Sequence, residues 1–332
     1  MKNIINSNYA INTLTIEKIQ KGNINNNSKI IAQEGVFFLK EFTQLDTDKL
    51  NIILRIEDKL KSKNINIISN IKNIDNEGYF KHEDKLYVLY PFVGGRQVNR
   101  KDISLKELRV MGNFIASFHK ATETSSFNEI KSSMQTQNSE FLYANKSICK
   151  IKEQIDLLVN KNVPEVVINL LLLKLDLLGK IDSVAELSLD SNVIIHGDYQ
   201  EQNVFFNGTE DNLHITVFDI EKARRSSPSI EIARFILLVC FYEAIDSTSL
   251  NKAKEFLNGY NQLEDINYHE VVTCINFLIL KKLSSTWSEN EYLKTSNPEL
   301  LEFIRNDYKL LKNIKENFKE IQNLLLKTFK NI

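Results

Sequence analysis

The order of hydrophobic and polar residues predicts strands early in the chain and mostly helices later. Short runs of β-branched and aromatic residues, bounded by Gly, Asn and Asp, are typical of strands. Apolar residues spaced three and four apart are typical of helices that pack on one face. The predicted strands are residues 14–19, 29–33, 36–42, 65–74, 86–90, 193–195, 204–206 and 213–218. The predicted helices are residues 46–61, 105–122, 142–159, 163–187, 230–244, 250–260, 268–287 and 298–329, with a polar loop at 123–140. This order indicates an α+β fold.

Composition narrows the class of protein. The 332 residues are 42% hydrophobic, which is enough for one large or two small cores. A net charge of −1 argues against nucleic acid or an anionic membrane as the main partner. Cys149, Cys240 and Cys274 have no metal or redox spacing, so we expect reduced thiols. The N-terminus lacks a signal-peptide core, and the apolar run 235–241 is far below the ~20 residues of a membrane span. We therefore expect a cytoplasmic protein.

The most informative stretch lies between the strands predicted at 193–195 and 213–218. It has the pattern His196-x-Asp198-x-x-x-x-Asn203, and Asp219 follows the second strand. Phosphoryl transfer uses a carboxylate beside the attacking hydroxyl and oxygen ligands for Mg²⁺, in this order along the chain. Asp198 is the predicted catalytic base, with Asn203 and Asp219 as magnesium ligands. His196 is predicted to hydrogen-bond the loop backbone.

The alternative is an ordinary polar β-hairpin, in which Asp198 and Asn203 only make turn hydrogen bonds. The flanking strands and the downstream Asp219 favour the phosphotransferase interpretation.

A resemblance to a known family rests on three segments of this region. They are His196-Gly197-Asp198 with Asn203, then residues 217–223, then residues 230–234. Together they resemble the aminoglycoside phosphotransferase and choline kinase superfamily, and within it the spore-coat kinase-like branch. The resemblance implies a two-lobed protein-kinase-like fold. It places a small β-rich nucleotide-binding lobe at residues 1–93 and a larger helical lobe, with the catalytic and metal-binding loops, at 94–332.

The resemblance also implies the reaction. Gly197 stands where protein kinases carry an Arg that often pairs with an activation-loop phosphate, which favours a small-molecule kinase without that switch. The implied activity is phosphorylation of a hydroxyl on an aminoglycoside-, choline- or homoserine-like acceptor, with ATP and Mg²⁺. GTP is left open as an alternative donor. Glu231 stands where family members usually carry an Asp that bonds the catalytic loop.

Two charged residues of the N-terminal part become candidates for nucleotide binding. Lys40 lies within an apolar strand, where a charge usually marks an edge or outward position. The resemblance makes it the lysine that binds the α- and β-phosphates. Glu57 shares the inward stripe of its helix with Leu50 and Ile53, and an acid in that place requires a partner. That partner is Lys40, or else Glu57 is a carboxylate at the rim of the stripe.

Residues 89–96 resemble the superfamily hinge. The resemblance implies that adenine bonds the carbonyl of Pro91 and the amide of Val93, whereas the alternative is a plain inter-domain turn. The turn at Gly22 corresponds to the loop that covers the phosphates, although it contains a single glycine.

Two further questions remain open at the level of sequence. The apolar spacing in 298–329 is coiled-coil-like, but packing on its own lobe is the favoured interpretation, so we expect a monomer or weak homodimer. The alternative function is a non-catalytic scaffold with this fold, such as a spore-coat-associated protein. The joint presence of Asp198, Asn203 and Asp219 favours catalysis.

Overall fold

The computed structural model describes residues 1–19, 26–43, 46–134, 139–158, 163–180, 184–188, 191–242, 244–317 and 321–329. Its helices are α1 (Lys2–Tyr9), α2 (Thr47–Ser62), α3 (Leu105–Glu123), α4 (Asn128–Ser133), α5 (Ala144–Leu158), α6 (Glu165–Leu178), α7 (Pro228–Phe235), α8 (Ser247–Tyr260), α9 (Tyr268–Ser284), α10 (Trp287–Thr295), α11 (Pro298–Asn317) and α12 (Ile321–Phe329). Its strands are β1 (Thr13–Ile19), β2 (Asn26–Ala32), β3 (Gly35–Phe42), β4 (Phe80–His82), β5 (Lys85–Pro91), β6 (Ser139–Tyr143), β7 (Val184–Ser188), β8 (Ile194–Ile195), β9 (Val204–Asn207), β10 (His214–Val217) and β11 (Arg224–Arg225). The predicted α+β class is confirmed.

A five-stranded antiparallel sheet forms the N-terminal part, in the order β1-β2-β3-β5-β4. One cluster of buried side chains joins α1 to the sheet through Ile5 and Tyr9. Another joins α2 to the sheet through Leu50 and Leu54. The apolar stripe predicted for the 46–61 helix is therefore the face that α2 buries. Helix α2 starts at Asp46, whose carboxylate accepts a hydrogen bond from the Lys49 amide.

Contacts between residues divide the chain into two compact units. Unit 1 comprises residues 1–98, 117–135 and 194–224, and unit 2 comprises residues 99–116, 136–193 and 225–332. Every residue predicted for catalysis, metal binding or nucleotide binding belongs to unit 1. These contacts group 194–224 with the sheet, whereas the sequence prediction assigned that segment to 94–332. The predicted lobe boundary after residue 93 stays a prediction.

Two predictions about the first half of the chain were wrong, and one helix was missed. Residues 65–74 are not a strand, and only Ile67 forms a bridge, to Val217. The strand in this region is β4, which pairs with β5. The predicted loop 123–140 contains a 3-10 helix at Ser125–Phe127, then α4 and the start of β6. The helix α1 was not predicted, because its polar residues obscured the apolar pair Ile5 and Tyr9.

Helix boundaries in the second half also differ from prediction. The helix expected at 163–187 ends at Leu178, before Gly179, and β7 follows it. The helix expected at 230–244 is α7 followed by a π-helix at Ile236–Cys240. The helix expected at 268–287 ends at Ser284, and α10 was missed. The single helix expected at 298–329 is described as α11 and α12.

A buried ion pair explains the lysine inside the apolar sequence of α6. Lys174 Nζ lies 2.5 Å from Glu289 Oε1, and both side chains are almost fully buried. The ammonium also donates to the Ser285 carbonyl at 2.7 Å. The hydroxyl of Ser288 donates to the other oxygen of Glu289 at 2.9 Å. Both charges thus have the partners that burial requires.

Cys240 and Cys274 are buried free thiols, and Cys149 is an exposed one. Among the described helices, none combines the length and apolar character that crossing a membrane requires.

Within unit 2, the part of α3 before residue 117 crosses α8, and the two backbones are in close contact. A Cβ built on Gly112 would lie 1.9 Å from the Phe256 carbonyl oxygen, and one on Gly259 would lie 1.9 Å from the Arg109 carbonyl oxygen. Glycine at these two positions therefore lets the helices approach to this distance.

We expect Gly112→Ala to lower the free energy of unfolding by about 1–3 kcal/mol, because the added methyl pushes the two helices apart. Urea unfolding measures this. The matched control is Gly94→Ala, since a Cβ at Gly94 would meet nothing within 4 Å. Equal unfolding free energies for the two variants would contradict the close crossing.

Candidate active site

The loop from β8 to β9 is built around His196, which is fully buried. The Asp198 amide donates to His196 Nδ1 at 3.2 Å, and His196 Nε2 lies 3.2 Å from the Phe218 carbonyl oxygen. A single tautomer, protonated at Nε2, satisfies both contacts. His196 therefore links the loop backbone to the end of β10, and the predicted backbone-bonding role is confirmed.

Asp198 presents its carboxylate between two side chains. Lys222 Nζ lies 2.7 Å from Oδ2. Gln200 Nε2 donates to Oδ1 at 3.3 Å, which is a longer and weaker contact. The Asp198 side chain is 15% exposed and that of Lys222 is 55% exposed, so the carboxylate lies at the edge of the site.

Asn203 and Asp219 are brought together through the backbone of Phe218. The Phe218 amide donates to the Asn203 carbonyl at 3.1 Å, and Asp219 follows directly, with φ at 66°. Asn203 Nδ2 donates to the Asp198 carbonyl at 2.9 Å, which turns the amide oxygen Oδ1 away from that bond. Within the described chain, neither Asn203 Oδ1 nor Asp219 Oδ2 makes a hydrogen bond.

These two oxygens fit a magnesium site. Mg²⁺ is usually held by one or two protein oxygens together with phosphate oxygens and water. The described residues contain no group of three His, Cys, Asp or Glu side chains that could hold a metal. The residues present therefore suit a metal that arrives with a nucleotide rather than one that the protein fully encloses.

Lys40 on β3 reaches the same acidic segment. Its ammonium lies 3.1 Å from Asp219 Oδ1 and also contacts Glu221 Oε1. Burial alone lowers the pKa of Lys40, but the carboxylates of Asp219 and Glu221 outweigh this effect and raise the pKa above its ordinary value. Lys40 is therefore a charged group in a largely buried position, inward rather than at an edge.

The predicted pair between Lys40 and Glu57 is wrong as a direct contact. Glu57 is buried, but its Oε2 accepts from the amide and from Nδ2 of Asn70, both at 3.1 Å. Its Oε1 accepts from the Tyr90 hydroxyl at 3.1 Å. These neutral donors occupy the carboxylate, and Glu221 takes the place beside Lys40. Glu57 is not a rim carboxylate either, because it is only 3% exposed.

Burial makes Glu57 an unusual acid. Loss of hydration raises its pKa to about 7, against the opposing effects of Asn70, Tyr90 and the nearby charge of Lys40. A carboxyl with this pKa is only partly ionised at neutral pH.

We expect Glu57 to make stability fall as pH rises from about 4.5 to about 7. In this window Glu57 keeps its proton in the folded state but has lost it in the unfolded state. The free energy of unfolding therefore falls by up to ~3 kcal/mol between pH 4.5 and pH 7. Urea unfolding at several pH values should show a flatter dependence for Glu57→Gln. The control is Glu17→Gln, which removes a carboxyl that is 50% exposed. An unchanged slope in Glu57→Gln would contradict the raised pKa.

The residues predicted to form the hinge lie at and just after the end of β5. The Phe92 amide donates to the Val36 carbonyl at 3.2 Å, and Pro91 lies opposite Phe37. Because successive residues of a strand point their backbone groups to opposite sides, the Pro91 carbonyl faces away from β3, and Val93 follows the end of β5 by two residues. The loop expected at Gly22 lies outside the described residues.

Sequence reasoning missed the roles of Glu221, Lys222, Asn70 and Tyr90. The signal for Glu221 was present, since it is a second carboxylate two residues after Asp219, which was already a candidate. Lys222 carried no such signal, because its partner Asp198 is 24 positions away in the chain.

A buried strand lysine paired with an Asp, next to a loop that carries a further Asp and an Asn, is the arrangement of a phosphotransferase with a kinase-like fold. Sequence comparison agrees with this class. The chain belongs to the phosphotransferase enzyme family APH, whose family model matches residues 15–266. A comparison with proteins of curated function gives no match.

Solved structures share the fold at low sequence identity. A spectinomycin phosphotransferase in complex with ADP and spectinomycin has a TM-score of 0.67 at 15% identity, covering 97% of this chain and 97% of that chain. An amicoumacin kinase in complex with AMP-PNP and Ca²⁺ has a TM-score of 0.62 at 14% identity, covering 97% and 92%. A microcompartment-associated aminopropanol kinase has a TM-score of 0.58 at 12% identity, covering 95% and 97%. The predicted kinase-like fold is confirmed.

Proposed function

We propose that this protein transfers the terminal phosphoryl group of ATP, with Mg²⁺, to a hydroxyl of a small molecule. The observation that carries the proposal is the convergence of Lys40, Asp198, Asn203 and Asp219 within unit 1, with the oxygens Oδ1 of Asn203 and Oδ2 of Asp219 left for a metal. We expect the protein to act in the cytoplasm, as a monomer or weak homodimer.

Each residue has a distinct role in this proposal. The Pro91 carbonyl and the Val93 amide bind the base of the nucleotide, with GTP as the alternative donor. Lys40 binds the phosphates, and Asn203 with Asp219 hold the metal, which neutralises charge on the transferred group. Asp198 orients the acceptor hydroxyl and accepts its proton as the new bond to phosphorus forms. Glu57, which was expected to pair with Lys40, instead supports β5 through Tyr90.

The neighbours described above support a small-molecule acceptor. They include an aminopropanol kinase, an amicoumacin kinase and a spectinomycin phosphotransferase. We propose an acceptor of the aminoglycoside, choline or homoserine kind for this chain. A screen of hydroxylated amines and antibiotics for ADP release identifies it.

The second candidate is a non-catalytic scaffold of the spore-coat kind. It is favoured by one observation, the lack of a direct Lys40–Glu57 contact. A scaffold without nucleotide chemistry would bind ATP no better with Mg²⁺ than without it. Calorimetric titration of ATP with and without Mg²⁺ therefore separates the two candidates.

Lys40→Met should weaken binding of Mg-ATP by the equivalent of ~1.5–3 kcal/mol, because it removes a charge-assisted hydrogen bond to phosphate. Isothermal calorimetry measures the affinity. The control Lys85→Met removes a lysine of the same sheet that is 45% exposed and paired with Glu41. Equal affinity in Lys40→Met and the control would remove Lys40 from the nucleotide site.

Asp198 and Asp219 should respond differently to the same substitution. Asp219→Asn should raise the magnesium requirement and weaken Mg-ATP binding. Asp198→Asn should leave ATP affinity nearly intact and lower turnover by ~10²–10⁴, the range for a positioned general base. Calorimetry and turnover are measured on both variants. The proposed roles are wrong if Asp198→Asn loses Mg-ATP binding as severely as Asp219→Asn, and catalysis itself is wrong if neither variant loses turnover.

A further inference from the structure

The contact between Lys222 and Asp198 joins two different loops of unit 1. Lys222 follows the metal-site segment by three positions, and its ammonium lies 2.7 Å from Oδ2 of the proposed base. The Asp198 side chain is mostly buried, so its charge is less screened than that of a surface carboxylate. A charge-assisted hydrogen bond of this length fixes the direction of a carboxylate as well as its charge.

Gly197 is the residue that allows this contact. Its φ is +81°, and a Cβ built there would lie 2.0 Å from the Lys222 carbonyl oxygen and 2.7 Å from its carbonyl carbon. Any side chain at 197 would push the 219–222 turn away from the Asp198 loop. The glycine thus has a packing reason in this chain, and the cation beside Asp198 comes from the turn instead of from position 197.

We propose that Lys222 is a positioning residue for Asp198, and that it acts permanently, with no modification needed to supply the charge. This proposal rests on the proposed phosphotransferase function. Lys222 holds Oδ2 and so orients the carboxylate toward the acceptor hydroxyl. The contact of Gln200 with Oδ1, at 3.3 Å, is longer and weaker.

The proposal predicts different effects on kcat for substitutions of Lys222 and of Gln200. Lys222→Met should lower kcat by about 10²-fold, because the carboxylate loses its fixed orientation. Lys222→Arg should retain most of kcat, since it keeps a cation at this place. Gln200→Ala should leave kcat near the wild-type value. None of these variants should change the affinity for Mg-ATP, which is measured by calorimetry.

A double-mutant cycle tests whether Lys222 acts through Asp198. In the Asp198→Asn background, Lys222→Met should cause no further loss of the residual turnover. Lys222 is 55% exposed, so the variant should fold, and its urea unfolding curve checks this. Gly197→Ala, which displaces the whole 219–222 turn and Asp219 with it, should lower both kcat and Mg-ATP affinity, in contrast to Lys222→Met.

Four results would overturn the proposal. The first is an unchanged kcat in Lys222→Met, and the second is an equal loss of turnover when Lys222→Met is made in the wild-type and in the Asp198→Asn backgrounds. The third is a loss of Mg-ATP affinity in Lys222→Met that parallels its loss of kcat. The fourth is a larger loss of kcat in Gln200→Ala than in Lys222→Met. Wild-type turnover is the separate test of the proposed function. If the wild-type protein releases no ADP with any acceptor, the proposed function is wrong and so is the positioning role. If the wild-type protein turns over and Lys222→Met has the same kcat, the positioning role alone is wrong.

Discussion

The buried charge of Lys40 is the constraint on which the site depends. An ammonium group in the interior of a strand is costly unless carboxylates lie beside it. Asp219 and Glu221 meet this requirement from a segment that begins 179 positions after Lys40 in the chain. The sheet and the loop after β10 must therefore fold together. The bridge between Ile67 and Val217 places the end of β10 next to the chain that leaves α2, and His196 fixes the carbonyl of the next residue.

The turn at 219–222 contacts both the proposed nucleotide site and the proposed catalytic base through its charged side chains. Asp219 and Glu221 face Lys40, which is the nucleotide side, and Lys222 faces Asp198, which is the acceptor side. Three carboxylates and two ammonium groups thus form two ion-pair clusters, one at Lys40 and one at Asp198.

The sequence predicted the chemistry better than the contacts. Asp198, Asn203 and Asp219 follow strands at fixed spacings, so their proximity could be inferred from chain order alone. The partner of Lys40 could not be inferred in this way, because the choice between Glu57 and Glu221 depends on the three-dimensional contacts of each carboxylate. A helical stripe places Glu57 inward but does not show that Asn70 and Tyr90 occupy its oxygens. The strand expected at 65–74 failed for a similar reason, since its backbone pairs with β10 and β5 only at isolated points, near Val217 and Leu89.

Lys40 is paired with Glu221 and not with Glu57, so a different segment of the chain fixes its position. In protein kinases the lysine is positioned by a glutamate on a helix, so movement of that helix controls activity. Here the corresponding helix α2 is tied to the sheet by uncharged donors, and Lys40 is held by the same turn that carries Asp219 and Lys222. A nucleotide with its metal would contact both Lys40 and Asp219. Binding would therefore change the contacts of the 219–222 turn and not those of α2. Because Lys222 lies in that turn, one segment of four residues serves both the proposed nucleotide site and the position of Asp198.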